Sequence, residues 1–152
     1  LDVVAVDISG RHEVNGRYYM LCAAVAARIS ARHLEKVYQV RQYPRATDTL
    51  GLREVSDLVF SATVGLSGLL LAERGDFYNI ERWRVQSLLG REFKYPESLG
   101  ERLAVELAHH ISLSGRRLCS EWWRDGSREE EGYGIEGGYE ACVQDDILGG
   151  LR

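Results

Sequence analysis

Residues 2–9 read DVVAVDIS, from Asp2 to Ser9, and Gly10 follows. Five of the eight side chains before that glycine are apolar, four of them β-branched, and the run lacks a helical period. A short continuous apolar run of this kind predicts a strand buried on both faces. Asp7 interrupts it. A carboxylate inside such a strand is costly unless it is paired or metal-bound. A structural pairing with Arg11 or Arg53 would be the plain reason for it.

Working outward, Asn15-Gly16 predicts a tight hairpin. Arg17 to Ile29 is again nearly continuous in apolar residues, so the first two strands are expected to be antiparallel neighbours. His33 to Tyr43 fits an edge strand or a helix. The strand is the preferred reading, and Pro44 is expected to end it. In Leu52 to Thr63, Leu52, Val55, Leu58, Val59 and Ala62 share one helical face. Leu66 to Leu71 reads as a strand. Asn79 is expected to cap a helix over residues 80–89 closed by Gly90. Ser98 and Glu101 form a capping box for a helix running to about Leu113. Gly115 is expected to stop that helix. Its buried stripe would hold Leu99, Leu103, Leu107 and His110, leaving His109 in solvent. Gly115 to Gly138 reads as a flexible polar insertion, and Tyr139 to Val143 as a last strand.

Length and composition bound this picture. The chain has 152 residues, 45% hydrophobic and 28% charged. That suits a single domain over residues 1–152 with a real core. Three cysteines with no C-x-x-C pair argue against a disulfide framework or a typical zinc site. No run of about 18 uncharged apolar residues is present. No charged-then-apolar leader opens the chain, although Leu1 is not a natural start. A cytoplasmic protein without a membrane partner is the expectation. The net charge is −4. The stretch from Glu121 to Asp146 carries nine acids against Arg124 and Arg128. Arginine outnumbers lysine 17 to 2, which suits phosphate contacts and hence a nucleic-acid partner. Biased composition alone also accounts for it.

The acids give the sharpest chemical reading. Asp7 lies near the end of the first strand, Glu73 and Asp76 follow the fourth, and Asp145 and Asp146 follow the last. If those strands are parallel neighbours, their carboxyl ends share one sheet edge, where open α/β sheets bind ligands. Carboxylates gathered there repel one another and favour a cation. Magnesium takes one or two carboxylates per ion and keeps waters for substrate phosphates. Manganese would serve equally. Paired ions of this kind support phosphodiester cleavage.

The V-x-V-D-I-S-G strand, the Asn-Gly hairpin, a third antiparallel strand, an α-β-α succession and a late strand ending in aspartates together resemble the ribonuclease H-like superfamily. The opening V-D-I-S-G-R-H-E and the closing V-Q-D-D-I-L-G-G also resemble a small uncharacterised archaeal family. The superfamily resemblance implies an α/β fold. Its five-stranded mixed sheet would have three antiparallel then two parallel strands, with helices on both faces. It implies a metal-dependent nuclease with Asp7 in the first strand and Glu54 on the first helix. Glu73 or Asp76 would follow the fourth strand, and Asp145 or Asp146 would lie near the end. The glycine-rich insertion before the last strand departs from the simple pattern. A non-catalytic binding domain on the same scaffold is the alternative.

Other residues carry less. His12 could shuttle a proton, and Trp122 and Trp123 could stack on bases. Cys22 and Cys142 read as core residues. Cys119 lacks a base, Ser9 and Ser120 lack a nucleophile elbow, and no phosphate-cradling glycine loop is present.

Overall fold

The computed structural model describes residues 1–126, with side chains described as far as Cys119. Six strands, β1 (Asp2–Ser9), β2 (Glu13–Val14), β3 (Arg17–Ile29), β4 (Leu34–Thr47), β5 (Leu69–Leu71) and β6 (Phe93–Lys94), form one mixed sheet. Three helices cover it: α1 (Leu52–Thr63), α2 (Arg82–Leu89) and α3 (Leu99–Gly126). A short 3-10 helix spans Arg74–Phe77.

β1 lies inside the sheet, as its sequence requires. It is antiparallel to β3 on one side, with Asp7 opposite Ala23, and parallel to β5 on the other, with Ala5 opposite Leu71. β4 is antiparallel to β3 on the far edge, and β6 is parallel to β5. The Asn15-Gly16 turn forms the expected hairpin, with φ of 52° and 80° at its two residues. Three antiparallel strands followed by two parallel ones therefore run across the sheet, with β2 as the short tip of the hairpin. The mixed α/β class holds.

Side-chain alternation along β1 divides the core. Val4, Val6 and Ile8 pack with Val55, Leu58, Val59 and Ala62 of α1, and with Val85 and Leu89 of α2. Val3 and Ala5 pack with Ala104, Val105 and Ala108 of α3. Asp7 shares the parity of Val3 and Ala5, so it faces α3.

Several expectations need correction. The third strand does not end at Pro44: β4 continues to Thr47, with Pro44 opposite Leu21. β4 pairs only with β3 among the described residues, and an edge strand tolerates a residue without an N–H. Asn79 is not a helix cap. It sits at φ 58°, and Glu81 precedes α2 without a side-chain cap. Gly90 does close α2, at φ 65°. The strand beside β5 is Phe93–Lys94, which its two-residue length hid from the sequence reading. The predicted strand at Tyr139–Val143 lies outside the described residues.

The largest difference concerns α3. Its capping box forms as expected: Ser98 Oγ accepts the Glu101 amide at 3.2 Å, and Glu101 Oε1 accepts the Ser98 amide at 2.9 Å. Gly115 does not stop the helix, which runs on to Gly126. A Cβ at Gly115 would strike the Gln42 carboxamide and Leu21. The glycine is there to let the helix approach the sheet. The first part of the expected insertion, Gly115 to Gly126, is thus helical, and the rest of it lies outside the described residues. Beyond its first turn, where Gly100 and Glu101 are buried, the buried face of α3 consists of Ala104, Val105, Ala108, Ser112, Gly115 and Cys119. Leu99 is exposed, and Leu103 and Leu107 are only half-buried. Small residues win the inward face because the helix lies close on the sheet.

Candidate functional site

β1 and β5 are parallel, so their carboxyl ends open on one edge of the sheet. Asp7 is the third-last residue of β1, and Asp76 lies in the 3-10 turn that follows β5. Both are 6% exposed.

Asp7 has no arginine partner among the described interactions. Its Oδ2 accepts a hydrogen bond from Ser112 Oγ at 2.6 Å and lies 3.2 Å from His109 Nδ1. The alternative pairing with Arg11 or Arg53 is therefore not formed, and two contacts from α3 engage Asp7 instead. Residues 109 and 112 are one helical turn apart and share a face. His109 is exposed, as expected, but its Nδ1 reaches Asp7 from the rim. His110, expected in the core, is exposed near Glu106. The error follows directly from taking the leucine stripe as the buried face.

Arg11 reaches Asp76 instead. Its guanidinium donates to the backbone carbonyls of Gly75 at 2.9 Å and Asp76 at 3.2 Å, and lies 3.8 Å from Asp76 Oδ1. Asp76 Oδ2 is buried and has no hydrogen-bond partner among the described residues. Burial, and then the charge of Asp7, push the Asp76 carboxyl up to about 7. Glu73 adds to the rise, while Arg11 and the Ile8 amide oppose it. Burial also raises the Cys22 thiol, with Asp76 and Asp7 contributing. Cys22 is a fully buried core residue, as expected, and Cys119 is buried too.

The edge thus brings Asp7 and Asp76 into one electrostatic unit, with exposed Glu73 beside it. Glu54 does not join them. It accepts from Thr49 Oγ1 at 3.0 Å beside the start of α1. His12 is exposed. Asp145, Asp146 and Cys142 lie outside the described residues, as do the side chains of Ser120, Trp122 and Trp123. Among the described residues, no three histidine, cysteine or acidic side chains form a metal-binding group. Two buried carboxylates, one with an unpartnered oxygen, still fit a cation that takes one or two carboxylates.

Sequence reasoning singled out both aspartates but missed Ser112 and His109, whose role depends on how α3 is rotated. A groove of about 610 Å³ lies at the opposite end of β1 and β5, lined by Phe60, Val64, Leu66, Leu69 and Arg91 among others. It shares no residue with the carboxylate edge. Among the described residues, no helix is long and apolar enough to cross a membrane.

Residues 4–120 match a family described as an uncharacterised protein conserved in archaea (DUF2209). An uncharacterised protein of Methanocaldococcus jannaschii is 33% identical over 122 residues, covering 78% of this chain and 96% of the relative. No solved structure matches the chain. The family match includes Asp7, Asp76, His109 and Ser112, and stops before Asp145 and Asp146.

Proposed function

The chain belongs to this archaeal family, and we propose that it is a divalent-metal-dependent nuclease on a ribonuclease H-like sheet. The observation that carries the reading is the Asp7–Asp76 pair. Two buried carboxylates stand at the ends of adjacent parallel strands, and Asp76 Oδ2 lacks a partner. The parallel pairing of β5 with β1, beside the antiparallel β3 and β4, supports the reading.

Asp7 and Asp76 would hold magnesium or manganese, with Glu73 at the exposed rim. Asp145 or Asp146 remain candidates for a further ligand. The bound ion would supply charge neutralisation and Lewis-acid activation for phosphodiester hydrolysis. The chain's own residues prepare that edge. Ser112 and His109 orient the Asp7 carboxylate, and Arg11 ties down the turn that carries Asp76. Arg11 also places positive charge beside the acids, where a substrate phosphate would approach.

A second reading is a non-catalytic binding domain on the same scaffold. It is favoured by the two contacts that already engage Asp7 Oδ2. Thermal melts with and without magnesium or manganese separate the two, together with cleavage assays on labelled DNA and RNA. The nuclease reading expects metal-dependent cleavage and a melting temperature raised by metal, both lost in Asp7→Asn. Asp57, exposed on α1, supplies the control Asp57→Asn. If neither metal shifts the melt of the wild type and no cleavage occurs, the nuclease reading fails.

A further inference from the structure

Immediately after Asp76, the backbone takes an unusual path. Tyr78 closes the 3-10 helix at φ 55° and ψ 32°, and Asn79 follows at φ 58°. Left-handed geometry is common for asparagine but unfavourable for a bulky residue such as tyrosine. The turn is held by backbone hydrogen bonds, from Tyr78 to Gly75 at 3.3 Å and from Asn79 to Arg74 at 2.9 Å. Strain of this kind persists where the surroundings over-determine it, and it clusters at ligand sites.

The strained residue does not serve the core. Tyr78 is 45% exposed, whereas its neighbour Phe77 is fully buried against Phe93. The phenol ring lies 5.6 Å from the Arg11 guanidinium. That same guanidinium lies 3.8 Å from Asp76. A carboxylate, a cation and an exposed ring therefore follow one another outward from the sheet edge. The sequence separates Tyr78 from Arg11 by 67 positions, so only the 3-10 turn brings them together. A phosphate beside Arg11 would leave its attached nucleoside within reach of the ring. Every nucleobase offers a π face to an exposed aromatic side chain, and stacking of this kind tolerates any sequence.

We propose that Tyr78 is the base-stacking residue of this edge, receiving an unpaired nucleotide whose phosphate lies against Arg11. The proposal rests on the nuclease reading for its substrate class, and it selects single-stranded over duplex nucleic acid. A base inside a duplex is already stacked and cannot present its face.

The test is fluorescence anisotropy with fluorescein-labelled 12-nucleotide single-stranded DNA and RNA, and a matched duplex, in EDTA so that cleavage is silent. Wild type should bind a single strand more tightly than the duplex. Tyr78→Gly should weaken single-strand binding about tenfold, and Tyr78→Trp should preserve it. Relief of the left-handed backbone offsets the lost ring contacts, so Tyr78→Gly should melt within about 3 °C of wild type. Equal single-strand affinity for wild type and Tyr78→Gly would overturn the proposal, as would wild-type preference for the duplex or no binding at all. Because EDTA removes the metal, metal-dependent cleavage is scored separately. A Tyr78 effect without cleavage leaves the stacking site and removes the nuclease. Cleavage with no Tyr78 effect does the reverse.

Discussion

Ser112 Oγ donates a 2.6 Å hydrogen bond to Asp7 Oδ2, joining the third helix to the first strand across 105 positions of sequence. The helix returns the connection through its backbone, since Ser9 Oγ donates to the Ser112 carbonyl at 2.9 Å. One turn of α3 therefore fixes both the orientation of the acid and the end of the strand that carries it.

Ser112→Ala tests this junction. The substitution removes the donor to a buried carboxylate but keeps the backbone acceptor for Ser9. Hydrogen bonds to charged groups contribute about 1.5–3 kcal/mol, and urea unfolding at pH 7 should show a loss in that range. A loss below about 0.5 kcal/mol would mean that His109 alone suffices to hold Asp7.

Asp76 sets a pH dependence. Its carboxyl is raised from 3.8 to about 7, by burial first and the Asp7 charge next. A folded-state value above the unfolded one means that the contribution to stability is fully present below about pH 4. It is lost as pH rises through 7. Asp76→Asn removes that loss. The variant should be more stable than wild type at pH 8, by up to about 4 kcal/mol, and close to it at pH 4. Magnesium at pH 8 should raise the melting temperature of wild type and leave Asp76→Asn unchanged. A variant that melts lower than wild type at pH 8 contradicts this account.

Glu101 works in the opposite direction. Burial raises its carboxyl, but hydrogen bonds from Lys94 and from the Ser98 and Glu97 amides outweigh that and hold it at about 2. A lowered value gives stability that is present above the ordinary 4.5 and lost as pH falls toward 2. Glu101→Ala should cost about 2–3 kcal/mol at pH 7, with the difference from wild type shrinking in acid. Chemical denaturation at pH 7, 4 and 2.5 measures it. A gap that stays constant across the three pH values would show that packing, not charge, accounts for the cost.

Gly115→Ala examines how closely α3 lies on the sheet. The added methyl meets Gln42, which is fully buried, and Leu21. Overpacking of this kind costs about 1–3 kcal/mol, despite the better helix propensity of alanine. In a Gln42→Ala background the same change should cost less, by about 0.5 kcal/mol or more. Additive effects in the double variant would place the clash elsewhere.

Local pattern determined much of this molecule. The apolar run at Asp2–Ser9 requires an interior strand, Asn15-Gly16 requires a tight hairpin, and the 3.6-residue period marks α1 at Leu52–Thr63. Ser98 and Glu101 mark the start of α3. Asp7 and Asp76 were legible as site candidates because charged groups in or beside apolar strands are conspicuous. Each of these features depends on residues within a few positions of one another.

Only the tertiary structure decided which face of α3 meets the sheet, and with it the partners of Asp7. Hydrophobic periodicity favours the leucine stripe of Leu99, Leu103 and Leu107. The sheet instead admits the stripe of Ala104, Ala108, Ser112 and Gly115, because close approach excludes large side chains. That rotation of the helix turns His109 toward Asp7 and His110 outward. The approach of Arg11 to Tyr78 and Asp76 is likewise set by the fold, since parallel pairing of β1 with β5 joins segments far apart in the chain. Side-chain period reports how apolar a face is, and it carries no information about how near the opposing surface lies.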